Sequence, residues 1–358
     1  MDVAVLGATG DVGRQVCTQL VERRILPATA RLQLVGRADG ASGRAAYGLR
    51  ADLVDAYAEH APLIDVALDP SDVVADVVVV VAGRTSPAHP GANTDRTALA
   101  ADNAAVFAAY AEALAAGGSG SEVVIVVSNP VELGVAVMAQ RLGRHRVIGM
   151  GAWLDTLRFR RELADSLGVR RHRVGGFVGG QHGHDLVPLW SSVRISGLLV
   201  DERARAVAGL RGARTLDTFG EEVAAAQRDL APLLATDVAA AFAQVETYPP
   251  DLRVVARPWL THQSGAKTAA GSAAATVDLV EVVCDGRDIV VAGQVALAGE
   301  VEVGGAPWHG VLGVPLVLGP EGWTHVLGDP TAPDESRRLQ QVGERIRQLT
   351  DPWVEGAA

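Results

Sequence analysis

Cysteine is nearly missing from this chain of 358 residues. Only Cys17 and Cys284 occur, far apart, which argues against a disulfide framework and against a cysteine-based zinc site. Long apolar stretches are missing too: runs such as Val77 to Ala82 are far too short to cross a bilayer, so no membrane role is expected. Positive charge is in deficit, with 32 Lys and Arg against 42 Asp and Glu and a formal net charge of -10. A phosphate backbone would be repelled by that balance, so nucleic acid is not an expected partner. An apolar run begins at Val3, directly after Met1 and Asp2, so no leader peptide is expected and the protein is placed in the cytoplasm.

What is present fits a folded protein: 48% hydrophobic and 21% charged residues. The length favours two packed domains over one. In the first part, short β-branched runs (Val3 to Leu6, Leu32 to Val35, Val77 to Val81, Val123 to Val127) alternate with helix-length stretches (Arg14 to Arg24, Asn103 to Ala116). That alternation predicts an α/β, doubly wound parallel sheet. Past Gly149 the pattern changes to mixed strands and helices, so an α+β domain is expected over residues 151–358, after a first domain over 1–150. Residues 198–266 are atypical, a Pro-punctuated helical stretch readable either as a lid or as an inserted helix pair.

The segment GATGDVG spans Gly7 to Gly13, where a strand should end and a helix begin. Gly7, Gly10 and Gly13 then have the dinucleotide-binding spacing: a tight turn, close approach of a pyrophosphate, and close packing of helix on strand. Asp11 and Val12 open the helix and join this cofactor set. The second strand runs into Gly36 and Arg37 instead of an acidic residue. A guanidinium there suits a 2′-phosphate, which favours NADP over NAD, with Asp39 as the alternative ribose partner.

Three further segments follow in order: VSNPVE (Val127 to Glu132), LDTLRFR (Leu154 to Arg160) and GGQHGHDLVPLWSS (Gly179 to Ser192). With the glycine loop they resemble the lactate/malate dehydrogenase family. The LVGRADG run is most similar to archaeal-type NAD(P)-dependent malate dehydrogenases. The resemblance implies a Rossmann-type cofactor domain followed by a catalytic domain, a homodimer or homotetramer, and hydride exchange with a small 2-oxo or 2-hydroxy acid, malate and oxaloacetate first.

By the same resemblance, His182 exchanges the proton, Asp155 orients it, and Arg96 on a loop polarises the carbonyl. Arg158 grips the substrate carboxylate, Asn129 contacts substrate, and Thr268 lies at the pocket. Ala82, Gly83, Asn103, Ser128 and Asn129 complete the cofactor set.

The loop AGRTSPAHPGANTDR (Ala82 to Arg96) departs from the family pattern, with Ala88 and His89 before Pro90 and the extra arginine moved to Arg84. Arg84 either reaches a second carboxylate or stays by the cofactor, so a specialised 2-oxo acid, or cofactor binding without turnover, stays open as an alternative. Gln181 and His184 stand where acidic residues are common. His182, His184 and Asp185 are all metal-ligand types, but no further ligands accompany them and no metal is expected. The metal-using glycosidases that share this fold rely on a cysteine that neither Cys17 nor Cys284 supplies in motif order.

Overall fold

Four consecutive valines, Val77–Val80 (β4), lie fully buried between Val3–Leu6 (β1) and Val123–Val126 (β5), and each such side chain contributes roughly 2 kcal/mol. In this computed structural model, which describes residues 1–85, 96–266 and 268–354 (those at 96–98 by backbone alone), they form the centre of a sheet. Arg31–Val35 (β2) and Leu63–Ala67 (β3) extend it on one side and Val147–Gly149 (β6) on the other, all parallel. The order β3-β2-β1-β4-β5-β6 reverses direction between β1 and β4, and ligands of open α/β sheets bind at such a switch point.

Two helix layers cover this parallel half. Asp11–Glu22 (α1) packs with Ala41–Ala56 (α2), whereas Arg96–Gly117 (α3) packs with Val131–Leu142 (α4). Gly151–Leu167 (α5) follows β6 and ends at Gly168, whose φ of +64° closes the last turn through its N–H to Ala164 and Asp165.

At β6 the sheet changes character. Gly149 pairs with Gln294 of Ile289–Val303 (β9), and from there the strands run antiparallel through Ala306–Gly319 (β10), Val174–Gly180 (β7) and Leu186–Ile195 (β8), with Gly322–Val326 (β11) beside β10. β9 and β10 form a hairpin closed by Gly304 and Gly305, both with positive φ, the backbone a tight two-residue turn needs. Gln294 also accepts the Ala152 N–H at 3.0 Å, fastening the start of α5 to the antiparallel half.

The stretch at 198–266 holds more than the expected helix pair. It contains four helices: Val200–Arg211 (α6), Phe219–Thr236 (α7), Val238–Glu246 (α8) and Pro250–Gln263 (α9). α7, α8 and α9 share a small core of Leu230, Ala241, Val245, Ala256 and Leu260. Glu162 of α5, 1% exposed, bonds Arg253 and Arg257 of α9 as well as Arg161, so the insert is fixed to α5 by buried ion pairs. Ala269–Asp285 (α10) then packs on α1 and α5, and Pro333–Val354 (α11) closes the fold against α4, β8 and β10. Among the described residues no helix is long and apolar enough to cross a membrane.

Candidate active site

The cofactor end is shaped by what glycine leaves out. Gly7 has φ +84°, and a Cβ there would stand 2.8 Å from the backbone of Ala82 at the end of β4. A Cβ on Gly13 would lie 2.3 Å from the Gly7 carbonyl, so any other residue would push α1 off its strand. Gly10 is the N-cap of α1 and supplies no side-chain acceptor, which leaves the amides of the first turn, around Asp11 and Val12, directed outward. A helix start without a side-chain cap, approached this closely by two loops, fits a dinucleotide pyrophosphate.

The neighbouring loops are fastened to each other. Ser128 Oγ donates to the Ala82 carbonyl at 2.7 Å. Asn103 is fully buried: its amide donates to the carbonyls of Arg84 and Asn129, and its oxygen accepts the Arg84 N–H at 2.7 Å. Asn103, expected in the cofactor set, here joins the two loops from behind. A Cβ on Gly83 would meet that same Asn103 oxygen at 2.9 Å.

At the end of β2, Gly36 is buried and Arg37 is 79% exposed, with Asp39 also exposed and 4.0 Å from its guanidinium. Ser42, at the start of α2, accepts the Arg37 N–H at 3.2 Å and lies 3.1 Å from the Thr9 hydroxyl. Ser42 and Thr9 thus join the glycine loop to the Arg37 loop. Neither stands out in the sequence, because the pairing spans 33 residues.

Across the switch point, α5 presents Asp155 and Arg158 one turn apart. Asp155 is 1% exposed; its Oδ2 lies 2.7 Å from His182 Nδ1 and accepts the Gly183 N–H, while its Oδ1 accepts from Arg158 at 3.0 Å. Burial pushes the Asp155 carboxyl up, but His182 and Arg158 beside it outweigh this and hold it below the usual carboxylate range. Burial likewise draws the Arg158 guanidinium down, opposed by Asp155. With Nδ1 taken by Asp155, the imidazole keeps Nε2 for chemistry.

Two residues that sequence reasoning missed hold His182 in place. Glu132, 2% exposed at the start of α4, accepts the His182 N–H at 2.7 Å. Gly151, first residue of α5, lies so close that a Cβ would stand 2.6 Å from His182 Cγ. Glu132 is the last residue of the VSNPVE motif, so the signal was present. Asn129, three residues earlier, is exposed beside it.

The remaining expected residues are less centrally placed. Arg84 is 77% exposed and pairs with Asp102 at 3.0 Å, directed along α3. Thr268 is exposed at the start of α10. Arg96 opens α3, but its side chain, like Ala88, His89 and Pro90, lies outside the described residues. Asp185 is paired with Arg338 and Arg345 of α11, and among the described residues no cluster of three His, Cys, Asp or Glu is arranged to hold a metal ion. A separate groove of about 470 Å³, lined by Phe177, Leu189, Leu312 and Leu339, shares none of these site residues.

Residues 1–149 match the sequence profile described as lactate/malate dehydrogenase, NAD binding domain. A malate dehydrogenase of Halobacterium salinarum is 31% identical over 223 residues, which cover 58% of this chain and 68% of that protein. The chain belongs to the lactate/malate dehydrogenase family.

The family likeness extends beyond that pair. A malate dehydrogenase of Sulfurisphaera tokodaii is 42% identical over 123 residues, 34% of this chain. Across this and several other malate dehydrogenases, the match spans 38% to 62% of their length. The solved Cryptosporidium parvum lactate dehydrogenase, complexed with lactic acid and β-nicotinamide adenine dinucleotide, superposes with a TM-score of 0.73 at 21% identity, covering 98% of this chain and 97% of that one. The whole chain therefore has the family fold, cofactor half and antiparallel half together.

Proposed function

We propose that this protein is an NAD(P)-dependent 2-hydroxyacid dehydrogenase that interconverts a small 2-oxo acid and its 2-hydroxy acid, with malate and oxaloacetate as the favoured pair. The observation that carries the reading is the triad of His182, Asp155 and Arg158, joined at 2.7 and 3.0 Å, with Glu132 of the VSNPVE segment on the His182 N–H. A bound nicotinamide supplies or accepts the hydride at substrate C2. His182 gives its Nε2 proton to the carbonyl oxygen in reduction and takes it back in oxidation. Asp155 holds the ring by Nδ1. Arg158 presents a planar donor fork to the substrate carboxylate, which fixes C2 relative to the cofactor. Asn129 and Arg96 are assigned to substrate contact and carbonyl polarisation.

NADP is the favoured cofactor. Exposed Arg37, the hydroxyl of Ser42 and the start of α2 together suit a 2′-phosphate, and one relative bears the name L-2-hydroxycarboxylate dehydrogenase (NAD(P)(+)). Residues 1–150 serve the cofactor and 151–358 the substrate, in a cytoplasmic homodimer or homotetramer.

One observation favours a second substrate. Arg84 pairs with Asp102, so a second carboxylate would have to displace that contact, and a monocarboxylic 2-oxo acid would not. Assaying a panel of 2-oxo acids with NADPH and with NADH tests both: turnover with oxaloacetate supports the malate reading, turnover confined to monocarboxylates supports the second, and turnover with none refutes the reaction class.

A further inference from the structure

His182 stands in a five-residue turn between β7 and β8. Gly180 and Gly183 have φ of +79° and +93°, and the Gln181 N–H donates to the Asp185 carbonyl at 3.3 Å. A second backbone bond, from the Leu186 N–H to the Gly183 carbonyl at 3.4 Å, closes the turn on itself, and side chains of other elements hold its two ends. Asp155 and Glu132 grip the His182 and Gly183 end. The opposite end carries Asp185, whose Oδ1 accepts from Arg338 Nη2 at 2.8 Å and from Arg345 Nη1 at 2.7 Å.

Arg338 is 3% exposed, and its guanidinium lies 3.2 Å from where a Cβ on Gly220 would stand, so glycine at 220 leaves room for it. α11, from which it projects, is itself immobilised. Asp334 bonds Arg211 and the Leu216 N–H, Glu335 takes the Ser191 hydroxyl and N–H, and Arg337 pairs with Asp217. A buried cation on a fixed helix is a firm anchor, because withdrawing its carboxylate would strand the charge.

We infer that Asp185, clamped by Arg338 and Arg345, is a positioning residue for His182, and that the C-terminal helix α11 is the frame against which the proton-transfer turn is held. Asp185 does not touch substrate. Through the two intervening residues, Gly183 and His184, it fixes the turn so that the imidazole meets Asp155 and the cleft at once, and proximity effects of this kind are sensitive to displacements of about 1 Å. The pairing joins residues 153 and 160 positions apart, which is why sequence reading, having set a metal aside, assigned Asp185 no role.

The catalytic arm of this inference rests on the dehydrogenase reading; the structural arm does not. The test compares the full chain with the paired variant Asp185→Asn/Arg338→Met, which removes the clamp without stranding a buried cation, and with Arg345→Gln. In the paired variant, amide hydrogen exchange at His182 and Gly183 is expected to accelerate at least about tenfold while exchange in α1 is unchanged. There kcat falls by about tenfold or more and the Kd for NADPH stays within about twofold. Arg345→Gln gives smaller changes in the same direction. Unchanged exchange at His182 and Gly183 overturns the clamp, and faster exchange with unchanged kcat overturns its role in positioning. If the wild-type chain turns over no 2-oxo acid, the dehydrogenase reading fails, and the exchange data still decide whether Asp185 holds the turn.

Discussion

Gly151 lies directly beneath His182: a Cβ on the glycine would stand 2.6 Å from the imidazole Cγ and 3.0 Å from Nδ1. The first residue of α5 is thus a platform for the ring whose partner, Asp155, lies one turn further along the same helix. Gly151→Ala is expected to lower kcat by about tenfold or more, with NADPH affinity unchanged, since it displaces the ring without touching the glycine loop. Steady-state kinetics with fluorescence titration of NADPH checks this, and equal loss of both would place the defect in the fold.

Asp155 sets a pH dependence of stability. Its folded-state carboxyl titrates below the usual range, so its stabilisation is fully present above the unfolded value near 3.8 and is lost as pH falls through the lowered folded value. Urea denaturation of wild type and Asp155→Asn should therefore diverge at neutral pH and converge in strong acid. A difference that persisted unchanged at the acid end would show that the charge is not responsible.

Glu162 predicts where the inserted helices are fastened. Glu162→Gln weakens its pairing with three arginines and is expected to cost on the order of 3 kcal/mol, seen as a lower urea midpoint. Hydrogen exchange should show α9 loosening first.

For the cofactor, Arg37→Asp should reduce kcat/KM with NADPH far more than with NADH. Ser42→Ala should do the same to a smaller extent, since it keeps the helix start and removes one hydroxyl. Equal losses with both cofactors would reject a role in reading the phosphate.

The two thiols should behave differently. Burial pushes the Cys17 thiol up to about 12, whereas Cys284 is half-buried and raised less. In the folded protein a thiol reagent should modify Cys284 slowly and Cys17 only after denaturant is added.

Much of this was legible because its signals are local. The Gly7 to Gly13 loop, the valine runs of β4 and β5, and the Asp155–Arg158 spacing each lie within one turn or one strand. The short edge strand β3, with Leu63 exposed, and α2, whose buried face is only Gly43, Ala46, Leu49 and Leu53, carry too little apolar pattern to stand out. The insert was less legible because its helices bury their faces against one another and α9 is held by a charge network centred on Glu162. That Asn103 joins the Arg84 and Asn129 backbones was not legible, because those partners lie 19 and 26 positions away.

The proposed reaction couples proton transfer through His182 to hydride exchange at a 2-oxo acid. It is tested most directly by following NADPH oxidation with oxaloacetate and other 2-oxo acids in wild type and His182→Asn, alongside direct measurement of NADPH binding. The predicted result is substrate-dependent oxidation by wild type, a loss of about 10²-fold or more in kcat for His182→Asn, and equal NADPH binding by both. NADPH binding with no oxidation by any 2-oxo acid, or turnover undiminished in His182→Asn, would contradict it.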